Sequence, residues 1–213
     1  MMARVLPSRI VLATNNAGKL AEVRAMLGAI GVEVVPVGEI VSAWSVEETG
    51  DTFEANAILK ARDLAGRAGA PVLADDSGLE VAALGGRPGV RSARYAGEVA
   101  TDAENVALLL REMAAVPDEE RAAAFRCAMA LVWPDGDLVT VSGTCPGMIS
   151  TVPRGTGGFG YDPVFLDPET HQTFAELSAE AKNARSHRRR ALDALVAELA
   201  GAPVSAASGR SAT

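Results

Sequence analysis

The chain has 213 residues, of which 48% are hydrophobic and 22% are charged, enough to bury the core of one large domain or of a domain with two lobes. A formal net charge of −7 argues against a broad basic surface, so we expect no nucleic-acid partner. The chain has no apolar run of transmembrane length and no signal-peptide pattern at its N-terminus, which predicts a soluble cytoplasmic protein without a membrane contact.

The chain begins with a strand, a polar turn and a helix. Residues 1–9 form a leader without a clear pattern, and residues 10–13 predict a buried strand. A helix is expected from about Lys19. Its apolar face comprises Leu20, Val23, Leu27 and Ile30. Gly31 ends this helix, and residues 32–37 predict a second strand.

A second helix is predicted to open at a capping box. Asp51 fits the N-cap and Glu54 fits the third helical position, and the helix should run to about Gly66. Its apolar stripe comprises Phe53, Ala57, Ala61 and Leu64. Asn56 and Lys60, four residues apart, are expected on a neighbouring polar face.

Two adjacent acids follow the next short strand. Residues 72–73 predict a buried strand, and Asp75 and Asp76 are expected to interrupt it because acids are poor strand formers and costly to bury unpaired. Since side chains alternate across extended backbone, the two carboxylates should point to opposite faces. The end of a buried strand is also where α/β proteins hold ligands. This segment alone does not decide between a polar turn and a metal or ligand site.

The second half of the chain predicts a helix, a hairpin, two glycine-rich loops and a final helix. The expected segments are a loop over 85–97, a helix over 101–115, hairpin strands over 123–133 and 137–144, a further strand over 147–151, a glycine-rich loop over 155–162, a short strand over 164–166, and a last helix capped by Ser186. Together these elements predict a mixed α/β sheet flanked by helices. Residues 10–200 should form one domain with two lobes and a cleft between them, and residues 201–213 a disordered tail.

The two cysteines suit a reducing compartment. Cys127 and Cys145 flank the predicted hairpin turn, so they should lie nearly opposite each other as free, apolar thiols. A redox pair is the alternative.

The polar turn after the first strand is the first candidate site. A strand that leads into the N-terminus of a helix leaves free N–H groups, which favour phosphate together with the helix dipole. The turn is not a Walker A loop, because Ala13 and Leu20 stand where glycine and a hydroxyl residue are needed. Lys19 can still pair with phosphate, although an ordinary capped helix with an exposed lysine also fits the pattern.

A second candidate combines acids from separate segments. Glu47 and Glu48 precede the second helix, where acids also favour the helix dipole without any further role. If Glu48 meets Asp76 across a cleft, the two carboxylates form an oxygen site suited to Mg²⁺, which typically binds one or two carboxylates together with substrate phosphates.

The last two candidates could bind a base. Phe159 lies in a glycine-rich loop and offers a flat face for stacking, unless its ring is packed into the core. Three arginines in the first turn of the last helix oppose its dipole, which is unfavourable unless an electronegative group lies nearby. His187 and Arg188 could donate to a base carbonyl, with a solvated charge run as the alternative.

Taken together, these motifs resemble those of the inosine/xanthosine triphosphate pyrophosphatase family, the XTP/dITP diphosphatases. The similarity extends from residue 10 to about residue 199. It rests on the segments 13–19 (ATNNAGK), 48–57 (ETGDTFEANA), 74–79 (ADDSGL), 88–90 (PGV), 92–97 (SARYAG), 158–163 (GFGYDP), 173–177 (TFAEL), 182–183 (KN) and 186–188 (SHR).

The resemblance implies a homodimer that hydrolyses the deaminated purine nucleotides ITP, dITP and XTP to the monophosphate and pyrophosphate with Mg²⁺. It implies that Asp76 is the catalytic base and that Glu48 and Asp76 bind the metal. Because alternation lets only one of the two adjacent acids face the site directly, we expect Asp75 in a supporting role. The implied substrate-binding residues are Thr14, Asn15, Asn16, Ala17, Gly18, Lys19, Lys60, Ser77, Phe159, Gly160, Tyr161, Asp162, Lys182, His187 and Arg188.

Two alternatives and two departures from the family pattern remain. A related pyrophosphatase for modified pyrimidine nucleotides and a non-catalytic nucleotide-binding module would share many of these motifs, although the paired carboxylates argue against the latter. Arg91 stands where the family usually has tyrosine or an apolar residue, and it could alter the cleft loop or the dimer contact. Arg189 stands where glycine is frequent, and it could alter the start of the last helix.

Overall fold

A computed structural model describes residues 4–201, and residues 1–3 and 202–213 lie outside it, including nearly all of the predicted tail. Its centre is a mixed sheet with the strand order β2-β1-β3-β4-β5-β6. The strands are β1 (Arg9–Leu12), β2 (Glu33–Pro36), β3 (Val72–Val81), β4 (Ala122–Val132), β5 (Leu138–Ile149) and β6 (Phe165–Leu166). β1 pairs in parallel with β2 and β3, and the remaining neighbours are antiparallel. The predicted mixed α/β fold is confirmed.

Helices cover both faces of this sheet. Within residues 4–201 the α-helices are α1 (Ala17–Gly28), α2 (Phe53–Ala68), α3 (Asp102–Glu112), α4 (Ala179–Arg185) and α5 (His187–Leu199). Short 3₁₀ helices lie at Val37–Glu39, Ala82–Leu84, Gly89–Arg94 and Asp118–Glu120. None of the helices in the described part of the chain is long and apolar enough to cross a membrane.

Alternating side chains of the strands fill separate cores. Ile10 and Leu12 pack with α1 and α5 on one face, whereas Val11 packs with α2 on the other. A third core lies at the far end of β3 and β4, where Leu79 and Phe125 contact α3 and the chain between Tyr161 and Phe174. The first two cores and the third therefore belong to two lobes that share the long strands β3, β4 and β5.

The prediction that the paired acids interrupt a strand is wrong. β3 runs for ten residues through both carboxylates, and Asp75 and Asp76 pair with Met129 and Ala128 of β4. The burial is tolerated because each carboxylate has a cation on its own side of the sheet. Gly78 continues the strand where a Cβ would lie 2.6 Å from the carbonyl oxygen of Gly89.

The helix boundaries differ from the prediction in physically clear ways. Thr52, rather than Asp51, caps α2 by accepting a hydrogen bond from the N–H of Ala55 at 3.1 Å. The helix continues past Gly66 to Ala68, and Gly69 ends it in the left-handed conformation with φ of 58°. Asn56 and Lys60, expected on a polar face, are buried with exposed fractions of 0% and 7%.

Other elements are shorter or longer than expected. Helix α1 begins at Ala17 with Asn16 as its N-cap and ends at Gly28, so Ile30 lies beyond it and is 54% exposed. Helix α3 occupies Asp102–Glu112 within the predicted range, with Thr101 as its cap. The separate strand predicted over 147–151 is the end of β5, which continues to Ile149.

Both cysteines are free and buried, as predicted. Cys127 is opposite Gly143 and Cys145 is opposite Phe125, so the thiols are offset by two residues along the hairpin. Burial raises the pKa of Cys127 to about 12 and that of Cys145 to about 11. Both groups therefore remain thiols at neutral pH and are poor nucleophiles.

Candidate active site

The predicted site residues gather in one cleft between the lobes. Two adjoining cavities of about 270 and about 100 Å³ share the lining residues Asn16, Lys19, Ser77 and Ala93. The larger cavity also contains Glu48, Lys60 and Asp76, and the smaller one contains Phe159 and His187. Of the site residues expected from the sequence, Ala17 and Gly18 do not line either cavity, and Gly18 instead supports a ring that does.

Asp75 lies on the α1 and α5 side of the sheet. Its Oδ2 atom is 3.2 Å from Lys19 Nζ and 3.2 Å from Arg188 Nε, and it accepts a hydrogen bond from the Ser77 hydroxyl at 3.2 Å. Burial alone would raise the pKa of Asp75, but Lys19 and Arg188 outweigh it and hold the pKa well below its usual value. Asp75 is therefore a permanent anion that fixes two cations at the floor of the cleft.

Asp76 lies on the opposite side, where it shares a lysine with Glu48. Lys60 Nζ is 3.2 Å from Asp76 Oδ1 and 2.8 Å from Glu48 Oε1. Asn56 donates to Asp76 Oδ2 at 3.2 Å and accepts from the N–H of Gly50 at 2.8 Å, which explains why this amide is buried. The expected opposite orientation of the two adjacent carboxylates is confirmed.

The electrostatics of Asp76 differ from those of its neighbour. Burial raises the pKa of Asp76, and the charge of Glu48 adds to the rise, against the opposing effect of Lys60. Burial would lower the pKa of Lys60, but Asp76, Asp75 and Glu48 outweigh it and raise the pKa, so this side chain stays an ammonium. A carboxylate with a raised pKa beside a fixed cation is suited to accept a proton at neutral pH.

Glu48 and Asp76 are the carboxylates of the larger cavity that could bind a metal ion. Glu48 and Asp76 converge on one ammonium group, and within residues 4–201 no three His, Cys, Asp or Glu side chains form a metal-ligating cluster. Two carboxylates alone do not enclose a cation. They fit a Mg²⁺ ion whose remaining ligands are substrate phosphates and water.

The turn after β1 forms one side of the larger cavity. Asn16 caps α1 by accepting from the N–H of Lys19 at 2.9 Å, so the helix begins at the cleft, with its free N–H groups available to an anion. Asn15 donates to the carbonyl oxygen of Trp44 at 2.8 Å and so connects this turn to the segment that carries Glu48.

Phe159 forms a wall of the smaller cavity. Its ring lies over Gly18, where a Cβ atom would be only 2.5 Å away, so a larger residue at that position of α1 would displace the ring. Lys182 Nζ is 4.6 Å from the ring centroid and Arg188 Cζ is 5.8 Å from it, within the range of cation–π contacts. The aromatic ring is half-buried, so the open alternative of a ring packed wholly into the core does not hold.

The residues after Phe159 form a compact turn. The N–H of Phe159 donates to Asp162 Oδ2 at 2.9 Å, and the same carboxylate pairs with Lys182. Burial raises the pKa of Asp162, although Lys182 opposes the rise. The Tyr161 hydroxyl donates to the carbonyl oxygen of Ser92 at 2.8 Å, which joins this turn to the segment opposite it.

The basic residues at the start of α5 each have a partner within the chain. Arg188 is 1% exposed and pairs with Glu22 and Asp75, and Arg189 pairs with Asp193 at 2.8 Å. Arg190 donates to the carbonyl oxygen of Thr144 at 2.8 Å. The unfavourable placement expected for these arginines is therefore offset by protein acids at Arg188 and Arg189 and by a backbone carbonyl at Arg190, and an external anion is not needed to explain it.

His187 is held as a neutral imidazole. It is 5% exposed and stacks on Phe125 at a centroid distance of 4.8 Å. Burial, followed by the charges of Arg188 and Lys182, lowers the pKa of His187 well below its usual value. A neutral ring at this position can both donate and accept a hydrogen bond.

Sequence reasoning missed Glu22. This residue of α1 is 8% exposed, lies 2.8 Å from Lys182 Nζ and also pairs with Arg188. The sequence did contain a signal for this residue: it is an acid on the apolar face of a predicted helix, next to Val23 and four residues before Met26. Acids are rarely buried without a partner, so such a position indicates a buried ion pair.

The two departures from the family pattern lie away from the carboxylates. Arg91 is exposed and lines a separate cavity with Arg87 and Phe53. The N–H of Arg189 donates to the capping hydroxyl of Ser186 at 3.1 Å, so α5 begins where the sequence predicted. The suggested effect of Arg91 on a dimer contact stays a prediction.

Fold and cleft together define a class: two-lobed α/β proteins whose central strand brings carboxylates and cations to one ligand cleft. The family model described as Ham1 family matches residues 10–198, and the chain belongs to this family. A dITP/XTP pyrophosphatase of Geobacillus kaustophilus is 54% identical over 186 residues, which cover 87% of this chain and 91% of that protein. A protein of the same name from Geobacter sulfurreducens is 54% identical over 185 residues, which cover 87% of this chain and 93% of that protein.

Solved structures agree with the family assignment. A HAM1 protein from Coxiella burnetii superposes with a TM-score of 0.81 at 45% identity and covers 91% of this chain and 99% of its own. The Ham1 protein of Staphylococcus aureus superposes with a TM-score of 0.80 at 42% identity, and the match covers 91% of this chain and 98% of that protein.

Proposed function

We propose that the chain is a nucleoside triphosphate pyrophosphatase that hydrolyses the deaminated purine nucleotides dITP, ITP and XTP to the monophosphate and pyrophosphate. The observation that carries the proposal is the arrangement of Glu48, Lys60 and Asp76 beside the N-terminus of α1. Relatives at about half identity over most of the chain are named dITP/XTP pyrophosphatase, which supports the same substrate class here.

In this proposal the phosphates lie along the larger cavity, with Lys19 and the N–H groups of the turn before α1 as donors. Glu48 and Asp76 would hold Mg²⁺, which would supply positive charge to offset that of the phosphates. Lys60 keeps the two carboxylates together and offsets charge on the leaving group. Phosphoryl transfer depends mainly on this kind of positioning and charge neutralisation.

Asp76 acts as the base in the reaction. Water attacks the α-phosphorus, a new P–O bond forms, the bond to the β-phosphate oxygen breaks, and the proton of the water moves to Asp76. Asp76 is placed for this role because its carboxylate lines the larger cavity, where Lys60 and Asn56 hold it. Pyrophosphate leaves next to Lys19 and Lys60.

The smaller cavity takes the base. Phe159 supplies a face for stacking, and His187, Lys182 and Arg188 surround the purine edge. Hydrogen-bond donors aimed at a 6-carbonyl select hypoxanthine and xanthine over adenine, whose amino group would leave a buried donor unpaired. We further propose a cytoplasmic homodimer, on the strength of the family resemblance.

A nucleotide panel tests the proposal most directly. Purified protein is incubated with Mg²⁺ and each of dITP, XTP, dGTP, dATP, dUTP and methylated pyrimidine triphosphates, and pyrophosphate is measured separately from phosphate. We expect release with dITP and XTP well above the others. Preferential release with pyrimidine nucleotides would favour the related pyrimidine enzyme, and binding without release would favour a non-catalytic module.

The assignment of Asp76 has its own test. Asp76→Asn should abolish pyrophosphate release while the protein stays folded by circular dichroism, because the amide cannot accept the proton or bind Mg²⁺ strongly. Asp118→Asn removes an exposed carboxylate elsewhere and should leave the rate unchanged. Turnover by Asp76→Asn close to that of the wild type would refute the role of Asp76.

A further inference from the structure

The exposed tip of the glycine loop (residues 155–162) is held by a carboxylate from a distant part of the chain. Asp102 Oδ2 accepts a hydrogen bond from the N–H of Gly160 at 2.7 Å, across a sequence separation of 58 residues. Asp102 also lines the smaller cavity together with Phe159. A hydrogen bond to a charged acceptor is stronger than one between neutral groups.

Asp102 is the first residue of α3 but is not needed to cap it. Thr101 accepts from the N–H of Glu104, and Glu104 in return accepts from the N–H of Thr101 at 2.8 Å, so a complete capping box forms the start of the helix. The Asp102 side chain can therefore hold the loop without leaving the helix end unsatisfied. Its charge also favours the helix dipole, as does that of Glu104, and the experiment must separate the two effects.

The backbone around Phe159 explains why this contact matters. Gly158 and Gly160 flank the aromatic residue with φ of 71° and 60°, a region in which glycine moves freely. Two hydrogen bonds restrict it: the N–H of Phe159 donates to Asp162 from within the loop, and the N–H of Gly160 donates to Asp102 from outside it. The second bond connects the residue next to Phe159 directly to α3, and it adds to the bond from the Tyr161 hydroxyl to Ser92 in holding the loop.

We propose that Asp102 is a positioning residue that fixes Phe159 as a wall of the base cavity and so sets the affinity for the nucleobase part of the ligand. The inference rests on the proposed function, because it takes the smaller cavity as the place of the base. Without the Asp102 carboxylate the loop samples other conformations, and part of the binding free energy is spent on ordering it again. The phosphate side of the cleft, formed by other elements, is unaffected.

The test measures the two halves of the ligand separately. Calorimetry gives the dissociation constants of dIMP and of pyrophosphate with Mg²⁺ for the wild type, Asp102→Ala and Asp102→Asn. For Asp102→Ala we expect the constant for dIMP to rise about tenfold, the size of one lost charge-assisted hydrogen bond, with no change for pyrophosphate. Asp102→Asn keeps an acceptor oxygen and should retain most of the affinity. With dITP as substrate, KM should rise in Asp102→Ala while kcat stays within about twofold.

Glu104→Gln is the matched control, because it removes the same charge from the same helical turn and leaves the loop contact in place. It should lower the thermal stability of the protein without changing the dIMP constant. The inference would be overturned if Glu104→Gln weakened dIMP binding as much as Asp102→Ala does. It would also be overturned if Asp102→Ala weakened pyrophosphate binding as much as dIMP binding, or left dIMP binding unchanged. Wild-type protein that binds no dIMP and releases no pyrophosphate would instead refute the proposed function.

Discussion

His187 should make the stability of this protein depend on pH in a way that a single substitution removes. The imidazole is buried against Phe125 and lies near Arg188 and Lys182, and burial and these charges lower its pKa well below the ordinary value. In the unfolded chain the same imidazole has a pKa of about 6.5. On acidification the unfolded chain therefore takes up a proton that the folded protein excludes.

The sign and the size of the effect follow from this difference. Stability rises with pH wherever the unfolded state binds more protons, so the contribution of His187 is intact above about pH 6.5 and is lost as the pH falls below that value. For a histidine that stays neutral in the folded state, the loss between pH 7 and pH 5 is about 2 kcal/mol of unfolding free energy. Carboxylates also titrate in this range, so the effect must be isolated by comparison.

Urea denaturation at pH 7 and pH 5 of the wild type and His187→Asn provides the comparison. The smaller side chain packs less well against Phe125, which lowers the stability of the variant at both pH values and cancels in the difference between them. We expect the wild type to lose about 2 kcal/mol more than His187→Asn over this interval. The chain has one other histidine, His171, which is exposed with φ of 57°, where asparagine is well tolerated, so His171→Asn is the matched control for a histidine-to-asparagine change.

An equal loss of stability in the wild type and in His187→Asn would refute the reasoning. It would mean that the folded protein takes up the proton at His187 as readily as the unfolded chain does. The imidazole would then have to be less buried, and the charges of Arg188 and Lys182 farther from it, than the structure places them.

Two further substitutions test the cleft itself. Lys60→Met leaves Asp76 and Glu48 without their shared cation, so the pKa of Asp76 should rise further. The acid limb of the pH–rate profile with dITP should move to higher pH, and an unchanged limb would argue against Asp76 as the titrating base. Gly18→Ala places a Cβ 2.5 Å from the Phe159 ring, so the ring must move. We expect a higher dissociation constant for dIMP with little change for pyrophosphate, and equal affinities would show that the ring position is unimportant for the base.

The paired acids show where sequence reasoning was right and where it was wrong. Alternation along extended backbone predicted that Asp75 and Asp76 face opposite sides, and this holds because alternation is a property of any strand. The same acids were expected to end the strand, because propensity and the cost of burial both oppose them. The cations that offset the cost come from α1, α2 and α5, far away in the chain, and local sequence contains no measure of them.

Helix ends show the same limit on a smaller scale. Asp51 and Thr52 are both good N-caps, and sequence alone favoured the first because Glu54 completes a capping box with it. The structure uses Thr52, while Asn56 of the same helix binds the N–H of Gly50 and so fixes the chain that enters the helix. Ser186 had no such competitor, and its capping of α5 was predicted correctly.

The sequence by itself determined the mixed α/β class, the order of most elements and, through the family motifs, the segments that form the cleft. Those features depend on local periodicity, on caps and on glycine positions, all of which are visible in a linear chain. Only the tertiary structure decided which charges meet, such as Lys60 with Glu48 and Asp76 and Glu22 with Lys182, and that Asp102 accepts from the N–H of Gly160. Buried charges are stable only with partners at about 3 Å, and such distances between remote residues are set by packing of the whole chain.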